Sequence, residues 1–168
     1  MESDNRSLPP VQFSSSLGPQ LSVPQVVRAI LDFMRADTHR KYKIIIGTDS
    51  ERQSDNTADF VTAIVIHRVG NGGRYFWRRI DETRKFHTLR DRIVQEVLFS
   101  LEAARMLLIA TQTASLPEFD FEIHADVGEN GATKATIQEV VGMIRANNFE
   151  ARTKPDSYAA SKVADRHV

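Results

Sequence analysis

The 168-residue chain has no cysteine, which excludes disulfides, thiolate metal sites and cysteine nucleophiles. It has no net charge either. Its 22 Lys and Arg balance 22 Asp and Glu, which argues against a protein that coats nucleic acid without selectivity. No apolar run approaches the roughly 18 residues that span a bilayer, so no membrane partner is expected. The opening MESDNRSLPP lacks the apolar segment of a secretory signal, and the expected location is the cytoplasm. The five histidines contain no His-x-x-x-His pair, which speaks against zinc. Gly-Glu-Asn-Gly at 128–131 lacks the lysine and the spacing of a phosphate-cradling loop and reads as a turn. What remains is ordinary for a globular domain: 41% hydrophobic and 26% charged residues, enough chain for one core.

Residues 1–21 are rich in Ser, Pro and Gln without periodicity and are expected to be a mobile tail, leaving 22–168 as the domain. Ser22 is a natural N-cap for SVPQVVRAILDFMRAD, whose Val26, Val27, Ile30, Leu31, Phe33 and Met34 form an apolar side. KYKIIIGTD (41–49) reads as a first strand and FVTAIVIHRV as a second. VGNGGR supplies the glycines of a tight reversal, and RYFWRRI is a third strand. A long amphipathic helix follows from Thr88 to about Ile109. FDFEIHAD is then a fourth strand, Gly131 to Ala146 a helix, NFEARTK a short fifth strand and DSYAASKVADRHV a last helix. The order βββαβαβα, after an extra N-terminal helix, predicts an α/β domain with a mixed five-stranded sheet flanked by helices.

Two of these strands deliver an acid. Alternation puts Ile45, Gly47 and Asp49 on one face of the first strand, and His124 and Asp126 on one face of the fourth. If the two strands are parallel neighbours, Asp49 and Asp126 lie side by side. Carboxylates that close repel each other unless a cation stands between them, and a hard divalent ion with oxygen ligands suits them. On the long helix, Glu96 falls at the margin of the stripe Leu89, Ile93, Val97, Leu101, Ala104 and Leu108, whereas Glu102 faces water. Glu96 is the glutamate able to reach the sheet; its plainer alternative is a boundary residue paired with Arg92. In the last helix Asp156, after Pro155, reads as an N-cap, and Asp165 shares a side with Tyr158, Ser161 and Lys162.

The element order and the acids together resemble the ribonuclease H-like superfamily. The stretches IIIGTDS, HADVGENGATK, EVVGMI and KPDSYAASKVADRH resemble its YkuK-like branch, over residues 22–168. The resemblance implies the ribonuclease H-like fold, with Asp49, Glu96, Asp126 and Asp165 as catalytic residues and metal ligands. Asp165 is preferred to Asp156 because VADRH resembles the alanine-aspartate-basic pattern around the final acid of other ribonucleases H. It further implies two Mg²⁺ or Mn²⁺ ions, roughly 3.5–4 Å apart, with Asp49 bridging them. The expected reaction is hydrolysis of phosphodiester bonds in RNA, RNA–DNA hybrid or structured DNA. Glu51 stands where relatives are expected to carry glutamine, either as an extra ligand or as mere surface.

Residues 74–92 hold seven Arg or Lys against three acids, interleaved with Tyr75, Phe76 and Trp77. Within and beyond this stretch Arg78, Arg79, Lys85 and Lys134 are candidate nucleic-acid contacts, with His87 and Asn130 as further ones. The plainer reading is a solvated edge strand beside core aromatics. Two other functions are compatible with the pattern. One is a non-catalytic nucleic-acid- or protein-binding module on the same fold. The other is an actin-like nucleotide-binding protein, disfavoured because that architecture needs two domains.

Overall fold

A computed structural model describes residues 10–16, 18–157, 163, 164 and 167. Within it a seven-stranded mixed sheet forms in the order β2-β1-β5-β4-β3-β6-β7. The strands are β1 (Gln12–Ser15), β2 (Gly18–Ser22), β3 (Tyr42–Arg52), β4 (Ala58–Arg68), β5 (Gly73–Glu82), β6 (Phe119–His124) and β7 (Glu150–Arg152). Three α-helices, α1 (Val23–Arg35), α2 (Leu89–Thr111) and α3 (Ile137–Ala146), connect them. Strands β3, β4 and β5 form the expected antiparallel meander, and β6 and β7 add in parallel to β3. Gly70 and Gly72 take φ of +78° and +76° in the β4–β5 reversal, the left-handed region that glycine enters without steric cost.

The sheet is wider than the five strands expected, because residues 12–22 are a β-hairpin rather than tail. β1 pairs with β2 and, through Ser14 and Ser15, with Trp77 and Phe76 of β5. Phe13, buried in the main core, is what fastens it. Ser22 does cap α1: its hydroxyl accepts from the Gln25 N–H while the Gln25 side chain accepts from the Ser22 N–H, a reciprocal capping box. Thr88 caps α2 through the Asp91 N–H. The helix expected from Gly131 begins later. Gly131 sits at φ +94°, a single 3₁₀ turn covers Lys134–Thr136, and α3 opens only at Ile137. The expected last helix falls mostly outside the described residues; of it, Val163 and Ala164 are helical.

Alternation divides the sheet cleanly. Ile44 and Ile46 of β3, Ile64 and Ile66 of β4, Phe76 and Ile123 lie in one buried cluster with Val26, Ile30 and Met34 of α1, Val97 and Leu101 of α2, and Ile144 of α3. On the other face Val61 and Ala63 pack with Trp77, Val163 and Ala164, and the His167 ring stacks on Trp77 at 4.1 Å. No helix among the described residues is long and apolar enough to cross a membrane.

Candidate functional site

The site begins with how α2 is pinned to β3. Thr48 Oγ1 lies 2.8 Å from both Thr62 Oγ1 and Ser100 Oγ, all three buried. Four residues along a helix advance about 6 Å and two along a strand about 6.6 Å. Hence one step up from the Thr48–Ser100 contact brings Ser50 to Glu96, whose Oε1 accepts from Ser50 Oγ at 2.5 Å. This polar ladder inside an apolar interface sets the rotation of α2 about its axis and fixes which glutamate points at the sheet. Glu96 is buried, at 8% exposure, while Glu102 is exposed and lies 3.9 Å from Arg78.

Asp49 lies inside β3 rather than at its end, since the strand runs on to Arg52 paired with β4. The pairing with β6, however, stops at Gly47↔His124. Beyond that point the β6 side of β3 carries no further register. Both acids lie past the last paired residues, Asp49 two beyond Gly47 and Asp126 two beyond His124. Asp49 and Ser50 project to opposite faces, so Asp49 lies on the face opposite the one that Glu96 reaches through Ser50. Both aspartates act electrostatically on Glu96. Burial, first of all, and the charges of Asp49 and Asp126 push its pKa up to about 8, against the opposing Ser50 hydrogen bond and Arg92. Asp49 Oδ1 accepts from the Ser50 N–H at 2.9 Å.

Asp126 has a neighbour the sequence did not foretell. Lys154 Nζ lies 2.9 Å from its Oδ1. The chain gets there because the β6–β7 ladder continues past both strands: Ala125 N–H donates to Arg152 O, and Lys154 N–H to Val127 O. Gly128 lets the lysine stem cross, for a Cβ there would stand 3.0 Å from Lys154 Cβ. Among the described residues no three His, Cys, Asp or Glu side chains form a ready-made metal cluster. Glu96 is turned to Ser50 and Asp126 to Lys154.

Asp165 lies outside the described residues. Arg78 and Arg79 are consecutive in β5 and therefore face opposite ways. Arg78 is largely covered beside Glu102, and Arg79 is bound to Asp59 at 2.9 Å on the other face. Arg78 and Arg79 therefore do not share one surface. Lys85, His87, Asn130, Lys134 and Glu51 are exposed.

Sequence reasoning missed a second polar cluster. His124 Nε2 lies 2.9 Å from Glu122 Oε2, and Glu122 Oε1 also takes Lys43 Nζ at 3.2 Å and Arg152 Nε at 3.5 Å. Burial lowers the His124 pKa, outweighing the attraction of Glu122. Burial works to raise Glu122, but His124, Lys43 and Arg152 together hold its carboxyl below the ordinary range. The signal in the sequence was the i, i+2 spacing of Glu122 and His124 on a strand, a period-2 pair rather than a helical one.

A parallel strand pair that stops at Gly47 and His124, with acids two residues beyond each and a third reaching in from the next helix, is the arrangement expected of a ribonuclease H-like domain. The chain belongs to that family: the family model described as Ribonuclease H-like matches residues 25–168. It is also similar to "Uncharacterized protein YkuK" of Bacillus subtilis (strain 168), 34% identical over 157 residues that cover 88% of this chain and 91% of the relative. No solved structure gives a significant match.

Proposed function

We propose that this protein is a divalent-metal-dependent nuclease that hydrolyses phosphodiester bonds in RNA, RNA–DNA hybrid or structured DNA. The observation that carries the reading is the electrostatic convergence of Asp49, Glu96 and Asp126 from three separate elements. The donor set fits a hard cation. It offers only carboxylate oxygens, and burial, with the added repulsion of Asp49 and Asp126, raises Glu96, a cost that a cation would relieve. Asp49, Glu96 and Asp126 would hold Mg²⁺ or Mn²⁺, with Asp165 as the fourth acid a two-ion site requires. Such ions supply an activated water at neutral pH and charge relief at the departing oxygen. The chain's own part is positional: Ser50 orients the Glu96 carboxylate, and the Ser50 N–H orients that of Asp49.

The test is cleavage of RNA–DNA hybrid, single-stranded RNA and branched DNA with Mn²⁺, alongside calorimetric Mn²⁺ titration. Mn²⁺ should bind, and binding should weaken in Asp126→Asn. A chain that neither binds Mn²⁺ nor cuts any of the three substrates is no nuclease of this kind.

One observation favours a second reading, a non-catalytic nucleic-acid-binding module: a lysine already answers the charge of Asp126. The two readings divide on Lys154→Ala. With its side chain 57% exposed the ion pair is worth well under 1 kcal/mol or about that much. Under the nuclease reading its removal should tighten Mn²⁺ binding roughly two- to fivefold. Under the module reading Mn²⁺ affinity stays absent while nucleic-acid affinity falls.

A further inference from the structure

Helix α2 is apolar on two sides. It buries Ile93, Val97, Leu101, Ala104 and Leu107 in the main core. Yet among the described residues five large apolar side chains are exposed, and four of them, Leu89, Leu98, Leu108 and Ile109, belong to α2. A single exposed leucine needs no explanation, but a helix apolar on both sides is ordinarily covered on both.

The outer side of α2 has a pattern. Leu98, Glu102, Arg105 and Ile109 follow one another at steps of four, three and four residues, the spacing of a coiled-coil seam. At about 100° per residue they fall within about 60° of the helix circumference, facing away from the buried Ser100, Ala104 and Leu107. Ile109 is 68% exposed. Glu102 lies 3.9 Å from Arg78 with its side chain still 52% exposed, and Arg105, also exposed, donates to Asn147 Oδ1. Beside this row runs a groove of about 370 Å³ between α2 and α3, lined by Leu98, Leu101, Met143 and Ala146.

The order apolar, acid, base, apolar is its own complement when reversed. A two-fold axis crossing α2 at the level between Ala103 and Ala104 sets Leu98 against the partner's Ile109 and Glu102 against the partner's Arg105, and makes each contact twice. A parallel alignment would instead set each Glu102 and each Arg105 against its own copy, so like-charge repulsion rejects it. Charged residues at seam positions cost stability and fix orientation and register in return.

We propose that α2 is the seam of an isologous dimer, in which two copies of this chain pair antiparallel through Leu98, Glu102, Arg105 and Ile109. The partner's Ile109 enters the groove between α2 and α3 beside Leu98. Glu96 lies on the opposite side of α2, turned to Ser50 of the sheet, so pairing does not cover it. Such a dimer forms whether or not the protein cuts nucleic acid.

The experiment is sedimentation equilibrium of the full chain from micromolar to submillimolar concentration, where a species of twice 19.0 kDa should appear. Ile109→Glu should abolish it. Glu102→Arg or Arg105→Glu alone turns both attractive pairs repulsive and should weaken the dimer roughly tenfold. An equimolar mixture of those two variants sets every Arg against a Glu again and should recover a dimer, now of two different chains. All three positions are exposed, so each variant should melt like the parent, and the parent's own mass is read without any variant. A parent that stays monomeric throughout would leave the face to some other partner and overturn the seam. A dimer unmoved by Ile109→Glu, single charge reversals that dimerise like the parent, or a mixture that pairs no better than its components would each overturn it as well.

Discussion

Asp49→Asn should reduce metal-dependent cleavage by about 100- to 1,000-fold while leaving the fold intact. The carboxamide has the shape of the carboxylate and retains an oxygen for the Ser50 N–H, so the backbone loses nothing. What disappears is the charge, on the residue that β3 holds between its β4 neighbour and the open edge past Gly47. Charge stabilisation by a bound cation contributes several kcal/mol to such reactions, and each 1.36 kcal/mol is tenfold in rate. The measurement is single-turnover cleavage with Mn²⁺, paired with a melting curve. Cleavage that survives within a few-fold, in a variant that melts like the parent, would falsify the proposed site.

Glu96→Gln should stabilise the protein at neutral and alkaline pH when no divalent metal is present. Glu96 has a folded pKa of about 8 against 4.5 for an unperturbed glutamate, with burial as the main cause. Between those values the folded chain holds a proton that the unfolded chain has released. Stability therefore falls as pH rises through this window and flattens above the folded pKa. At about 1.36 kcal/mol per unit, ionisable Glu96 costs on the order of 3 kcal/mol at pH 7 and approaches 5 kcal/mol above pH 8. The neutral amide can still accept from Ser50 Oγ and carries none of that cost. Urea unfolding at pH 5, 7 and 9 in EDTA should show parent and variant converging at low pH and separating upward. Parallel profiles would mean that Glu96 is not held protonated. The same variant should lose Mn²⁺ affinity, so stability gained and metal binding lost arise from one carboxyl group.

How much of this was legible in the sequence depends on which physics decided each element. Strand β3 was readable because three consecutive isoleucines leave few alternatives, and the cap Ser22 because its chemistry is local. The parallel pairing of the two strands was readable too, and the register bears it out as far as Gly47 and His124, two residues short of either acid. The hairpin of residues 12–22 was not readable. QFSS and GPQLS have no alternating apolar pattern, and one buried phenylalanine supplied from the far end of the core decides them. Lys154 was equally hidden, since it meets Asp126 through a backbone ladder between segments far apart in sequence. The opposed directions of Arg78 and Arg79 were open to inspection, because neighbours in a strand always diverge. Counting basic residues along a segment obscured it.

The two ends of the sheet carry a consequence of their own. One border is β2, five residues that include Pro19; the other is β7, three residues bearing Glu150 and Arg152. The long strands β3, β4 and β5, which would make good templates for pairing, are all interior. Short or proline-bearing borders of this kind are one way sheets avoid pairing with an incoming chain. The hairpin fastened by Phe13 then has a task unrelated to the acids: it covers β5 at Phe76 and Trp77. A fragment cut at residue 25, where the family match begins, would surrender that shutter and keep the acids. Edge cover and the acids are thereby held in different stretches of one chain.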